Sequence, residues 1–214
     1  MNLRFVSCVA VFLGLATISG IAGTATAAVP PEAYSALRWR LAGPLRGGWA
    51  TSATGVPGKP DTFYMGTADG GVWTTADAGR TWSSLFDHEG AASVGALALA
   101  PSDPAVLYVG TGQVSARWDI TSGNGIYRTG DGGRTWEHRG LADSYHIGRL
   151  WIDPRNANVV LAAAQGHLFG PNAERGVFRT TDGGATWTKV LFVDENTGCS
   201  DLAIDPKNPS VLFA

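Results

Sequence analysis

Short apolar runs recur along this chain, each bounded by a turn rich in Gly, Pro or Asp, and no window holds an apolar stripe at helical spacing. "GALALA" (95–100), "GRLWID" (148–153) and "SDLAID" (200–205) each lead into a proline turn. "TFYMGT" (62–67), "VLYVGT" (106–111), "VVLAAA" (159–164) and "VLFA" (211–214) each follow one. The prolines Pro57, Pro101, Pro154 and Pro206 stand at matching places, at steps of 44, 53 and 52 residues. A third set comes next, "GVWTT" (71–75), "GIYRT" (125–129) and "GVFRT" (176–180), with an aromatic at the same offset. Runs this short, bounded by turn residues, predict β-strands rather than helices.

Each third run ends in the same corner: "TTADAGRTW" (74–82), "RTGDGGRTW" (128–136) and "RTTDGGATW" (179–187). The shared residues are Thr75, Asp77, Gly79, Thr81 and Trp82, then Thr129, Asp131, Gly133, Thr135 and Trp136, then Thr180, Asp182, Gly184, Thr186 and Trp187. A chain reversing over so few residues needs a glycine that takes positive φ at low cost. It also needs acceptors for turn N–H groups that no strand pairs, and an Asp carboxylate and a Thr hydroxyl supply them. The Trp ring then covers the turn or the neighbouring sheet. The corner is therefore expected to hold a hairpin closed rather than to bind ligand.

Four antiparallel strands in about fifty residues, repeated, make the unit of a β-propeller blade. The predicted fold is all-β, a propeller of four-stranded antiparallel blades; a β-sandwich has no need of one corner sequence at regular intervals. The expected division is a signal peptide at 1–27, a linker at 28–36 and a partial propeller at 37–214. Within it, 37–43 reads as a closing strand, 48–86, 93–140 and 146–192 as three blades, and 199–214 as the start of a fourth. In the closing stretch "LRWRLAG", Trp39 stands where Trp136 stands in its own strand. About three and a half blades do not close a ring of four to eight. The expected partner is thus the remainder of a longer chain.

The corner is similar to the Asp-box, or BNR, repeat of sialidases, sortilin-type receptors and xyloglucan-degrading glycoside hydrolases. The stretches "LRWRLAGPLRGGWATS" and "PDTFYMGTADGGVWTTADAGRTW" most resemble secreted bacterial propellers described as glycosyl hydrolases or sortilin-like. In the xyloglucanase-type family a catalytic Asp follows the second strand of the first blade in a Thr-Asp-x-Gly-Gly pattern. Here Thr67, Ala68, Asp69, Gly70 and Gly71 match, so the family's Asp position falls on Ala68 and Asp69 follows one place later. The resemblance leaves Asp69 as the candidate catalytic carboxylate and puts its partner acid in a downstream propeller. The sialidase pattern fits less well: Arg46, Arg117 and Arg175 suffice in number for its arginine clamp, but its early Arg-Ile-Pro is missing.

Composition adds the cellular context. Arg4 precedes the apolar run "FVSCVAVFLGLATISGIAG", which ends in "TATAA"; the Ala25-Thr26-Ala27 site predicts a cleaved export signal, with no membrane span afterwards. The destination is periplasmic or extracellular. A net charge of −2 gives no reason to expect nucleic acid as partner. Cys8 leaves with the signal, so Cys199 has no disulfide partner and reads as a buried small hydrophobe. His88, His138, His146 and His167 lie without ligand spacing and read as loop or surface residues, so neither metal nor cofactor is expected.

In such a blade the proline turns and the Asp corners share one end, leaving recognition to the other. The loops there, 110–125 and 164–176, carry Arg117, Trp118, Asp119, His167, Phe169, Glu174 and Arg175. Aromatics beside charges suit a carbohydrate or a peptide ligand. The blade-to-blade loops add Asp87, Glu89, Asp143, Asp194 and Glu195, read as exposed acids. Two functions follow: an exported scaffold that binds glycan or peptide, or the N-terminal part of a glycoside hydrolase whose second acid lies further on.

Overall fold

The structure, a computed structural model, describes residues 30–36, 48–115, 117–205, 207–208 and 211–214. The expected signal peptide and closing strand, with Trp39 and Arg46, lie outside the described residues. In the N-terminal unit (Met1–Ala42) the described part is a single 3-10 turn, Pro31–Tyr34.

The second unit (Gly43–Ala214) is built of antiparallel sheets in chain order. The first holds β1 (Ala50–Val56), β2 (Lys59–Thr67), β3 (Gly71–Thr75) and β4 (Ser83–Ser84). The second holds β5 (Val94–Leu99), β6 (Leu107–Thr111), β7 (Ile126–Thr129) and β8 (Glu137–His138). The third holds β9 (Ile147–Asp153), β10 (Asn156–Ala164), β11 (Gly176–Thr180) and β12 (Thr188–Leu191). A last pair, β13 (Ala203–Ile204) and β14 (Leu212–Phe213), follows. Each sheet of four keeps its strands in sequence order, as a propeller blade does.

The core lies between blades. The first strands β1, β5 and β9 are neighbours, and small residues on the second strands let them approach. A Cβ on Gly66 would stand 2.5 Å from the Val94 side chain, and one on Gly110 would stand 2.4 Å from that of Ile147. Val72, Phe86, Val94, Val109 and Tyr127 fill the first interface, and Phe86 meets both Tyr127 and Trp136 edge-on at 5.1 Å. Tyr108, Ile126, Ile147, Leu150, Val160 and Phe178 belong to the second. Cys199, a free thiol, is buried with Ala163, Val177 and Leu202.

The three corners share one hydrogen-bonding scheme. Thr129 Oγ1 donates to Asp131 Oδ1 (2.7 Å) and accepts from Gly133 N–H (3.0 Å). Thr135 donates through its N–H to Asp131 Oδ1 (3.0 Å) and through Oγ1 to Oδ2 (2.7 Å). Asp77 and Asp182 repeat this set with Thr75, Thr81, Thr180 and Thr186. These donors hold the Asp77 carboxyl down at about 2, and those of Asp131 and Asp182 further below the usual range.

The tryptophans differ. Trp136 Nε1–H reaches back to Leu85 C=O of the preceding blade (2.9 Å), and Trp187 Nε1–H to Arg139 C=O (2.6 Å). Trp82 Nε1–H turns onto Gly79 C=O of its own corner (3.1 Å), and its ring is exposed.

Backbone bonds separate the two ends of the blades. Corner N–H groups of Ala78, Gly132 and Gly183 meet carbonyls of Asp61, Ala105 and Asn158 beside the first-to-second-strand turns. At the opposite rim the second-to-third-strand loops meet the blade-to-blade connections: Gly112 N–H to Ser93 C=O, Gly123 N–H to Tyr145 C=O, Gln165 N–H to His146 C=O.

Candidate functional site

Two long loops and one connection form the rim between blades 2 and 3. The connection is sharply bent: Leu141 (φ 54) and Tyr145 (φ 57) both adopt positive φ around a 3-10 turn, Ala142–Ser144. That bend turns Asp143 onto the third-blade loop. Asp143 Oδ1 pairs with His167 Nε2 (3.0 Å), and its Oδ2 accepts from Asn172 Nδ2 (3.0 Å), which also donates to the Asp143 carbonyl (3.3 Å). The Tyr145 ring stacks on His167 at 4.0 Å. Arg175 laces the same loop together, donating to the carbonyls of Gln165 (2.8 Å), His167 (2.7 Å) and Gly170 (3.1 Å). Burial raises the Glu174 carboxyl above its ordinary range, and the Asp143 charge adds to the shift.

Two adjoining hollows result. One of about 190 Å³ is lined by Trp118, Ile120, Ser122, Tyr145, His146 and His167, with Leu168 and Phe169. Its neighbour of about 280 Å³ shares Ile120, His146, His167 and Leu168 and adds Gln165, Gly166, Arg175, Gly198 and Ser200. Trp118 (86% exposed) and Phe169 (76%) offer bare aromatic surface on opposite loops.

Of the residues expected from sequence, Trp118, His167 and Phe169 thus share one groove, and Arg175 lines the next. Arg117 and Asp119 pair with each other (3.0 Å), and the Arg117 guanidinium lies over the Trp49 ring at 4.6 Å. Glu174 lines neither hollow. Asp69 sits apart, exposed at the β2–β3 hairpin tip with φ 68, and lines neither hollow. Ala68, at the family's Asp position, is buried, its carbonyl packed against Gly48.

His146, expected as a loop or surface residue, lies in the connection before β9 and is buried (2% exposed), and burial lowers its pKa. Asp143 is exposed, as expected, and it also ties two loops together. Tyr145 was not foreseen, because its place in the groove follows from the positive-φ backbone at Leu141 and Tyr145; Ile120 and Gln165 lie on the two loops that the sequence singled out. Among the described residues no group of three His, Cys, Asp or Glu is placed to hold a metal. No helix there is long and apolar enough to cross a membrane.

Comparison with known proteins agrees with this fold. A scan against known protein families gives no match. A xyloglucanase of Paenibacillus sp is 31% identical over 195 residues, which cover 83% of this chain and 18% of that protein. A xyloglucanase of Hypocrea jecorina is 29% identical over 192 residues, 81% of this chain and 21% of its own length. The crystal structure of an ancestral GH74 enzyme superposes with a TM-score of 0.58 at 17% identity, over 74% of this chain and 21% of that one; this likeness bears on the fold alone. The chain therefore spans about a fifth of the length of the curated relatives it matches.

Proposed function

We propose that this chain is the N-terminal part of a xyloglucan-degrading glycoside hydrolase and builds one wall of its glycan cleft. The observation that carries the reading is the 31% identity to a xyloglucanase across most of the chain. This favours the hydrolase over the binding scaffold for glycan or peptide. The rim supports it: Trp118 and Phe169 present aromatic faces to the apolar side of a pyranose ring, with Ser122 and His167 beside them for hydroxyls.

Hydrolysis of a glycoside needs two carboxylates, roughly 5 to 9.5 Å apart according to mechanism. Asp69 is this chain's candidate for one, held out at a hairpin tip where no hydrogen bond or ion pair among the described residues engages it. The second belongs to the rest of the longer protein. The Thr–Asp–Gly–Trp corners act as Asp-boxes in a structural sense, since their carboxylates are occupied by turn donors. Export through residues 1–27 to the periplasm or beyond suits a polymeric substrate.

The test uses the full reading frame that contains this chain, incubated with xyloglucan and assayed for new reducing ends. Release is expected, and Asp69→Asn is expected to lower kcat by roughly 10²–10⁴-fold, the usual worth of general acid–base catalysis, while KM changes little. No release from xyloglucan by folded wild-type protein would defeat the hydrolase reading. An unchanged rate in the variant would remove Asp69 alone.

A further inference from the structure

The two corner tryptophans that reach back land on the same position of the preceding repeat. Trp136 Nε1–H meets the carbonyl of Leu85, three residues after Trp82, and Trp187 Nε1–H meets that of Arg139, three residues after Trp136. The corner glycine comes with the ring. A Cβ on Gly133 would stand 2.7 Å from Leu85 Cδ1, and one on Gly184 would stand 2.9 Å from Arg139 Cβ. The residue after the acceptor meets the indole itself. Phe86 packs edge-on against Trp136 at 5.1 Å, and a Cβ on Gly140 would stand 3.3 Å from Trp187 Cδ1.

The third repeat carries the same position uncovered. Three residues after Trp187 stands Val190, followed by Leu191. Val190 lies at the register shift between the pairs Phe178–Lys189 and Val177–Leu191. Leu85 and Arg139 are half-buried and Phe86 is buried, whereas Val190 is 49% and Leu191 44% exposed. Phe192 and Val193 extend this exposed apolar surface. Beside it is a hollow of about 250 Å³, whose walls include Gly176, Leu191, Val193, Cys199 and Ala214. In the first interface the matching space beside Val72 and Phe86 is filled by Tyr127 of the next third strand, edge-on to Phe86 at 5.1 Å. An aromatic stands at that offset in all three third strands: Trp73, Tyr127 and Phe178.

Continuity with the established interfaces names the occupant. β13 and β14 follow blade 3 as the first two strands of a next sheet, with Cys199 N–H bonded to Ala164 C=O and Leu202 clustered with Ala163 and Val177. A third strand added to that pair enters the hollow and carries its corner over Val190. Corner tryptophans recur at steps of 54 and 51 residues, so the next is expected about fifty residues after Trp187, beyond Ala214. A second copy docked through its Trp82 corner would place its own β1 and β2 where β13 and β14 already stand.

We propose that Val190, Leu191 and the adjoining hollow form the docking surface for the third strand and Asp corner of the next repeat. An aromatic side chain of that strand fills the hollow, and the corner indole N–H bonds the Val190 carbonyl. The inference rests on reading this chain as the N-terminal part of a longer protein; it adds the face that receives the remainder and the side chains received there.

The experiment incorporates photo-leucine at partial occupancy into the full reading frame, irradiates the folded protein and maps captured residues by tandem mass spectrometry. Leu85 is expected to capture the corner at 129–136, which sets the yield. Leu191 is expected to capture, in similar yield, a further Thr-x-Asp-x-Gly-x-Thr-Trp corner from beyond Ala214. Capture of another segment, of residues 75–82 from a second copy, or of solvent alone at Leu191 overturns the proposal. A longer frame that holds no such corner overturns it as well. Release of reducing ends from xyloglucan is followed on the same protein before irradiation. Release without the expected capture sinks the docking surface and spares the hydrolase reading; capture without release does the reverse.

Discussion

Asp131 is a surface residue whose carboxylate nevertheless has a fixed job: two Thr135 donors and the Thr129 hydroxyl converge on it. These bonds favour the ionised form, so the folded pKa lies below the unfolded one, as it does for Asp77 (about 2) and Asp182. With the folded pKa depressed, the unfolded state binds more protons as the pH falls, and stability drops. The contribution is complete above the ordinary carboxylate range, near pH 5, and fades as the pH falls toward 2. Thermal melting of the wild type is therefore expected to decline steeply between those limits. Asp131→Asn is expected to melt lower at pH 7 and to lose part of that slope; an identical pH profile in the variant would contradict the assignment. These corners were legible in the sequence because the bonds made by their Asp and Thr side chains are local, between residues no more than four apart. The rim was less so. Trp118, His167 and Phe169 could be picked out as loop aromatics and charges, but the roles of Asp143, Tyr145 and His146 hinge on positive-φ backbone at Leu141 and Tyr145, where no glycine announces it.

Between elements, the repeated sequence conceals an asymmetry. Trp136 and Trp187 reach back to the carbonyls of Leu85 and Arg139, whereas Trp82 stays on its own corner. Trp136→Phe leaves a backbone carbonyl without its donor and is expected to cost about 1–3 kcal/mol. Trp82→Phe, at an exposed ring, is expected to cost less than about 0.5 kcal/mol. Chemical denaturation of the two variants side by side checks this, and equal losses would refute it. Small residues on the second strands matter equally. Gly110→Ala drives a methyl into Ile147 and is expected to destabilise by about 1–3 kcal/mol. Chemical denaturation checks it, and an unchanged midpoint would refute it. The strand order was readable from the spacing of the runs. The direction in which each Trp reaches was not, because it depends on contacts some fifty residues apart that the corner motif does not encode.

At the scale of the whole molecule, similarity to xyloglucanases covers most of this chain but about a fifth of theirs. On the proposed reading, the rim between blades 2 and 3 is one wall of a larger cleft. Trp118→Ala removes a nearly bare ring and is expected to leave the melting temperature within about 2 °C while weakening retention on xyloglucan in affinity electrophoresis by about five- to tenfold. Unaltered migration would exclude that loop from the wall.

The backward reach of Trp136 and Trp187 gives the array a grain. The second and third repeats each carry a peg and borrow its socket from the repeat before, so the natural seam does not coincide with the gaps between their sheets. A piece cut cleanly at a sheet boundary keeps a peg with nowhere to seat. A piece cut after the next corner tryptophan keeps both halves of the joint, and dissection of this fold into autonomous parts should follow that offset frame.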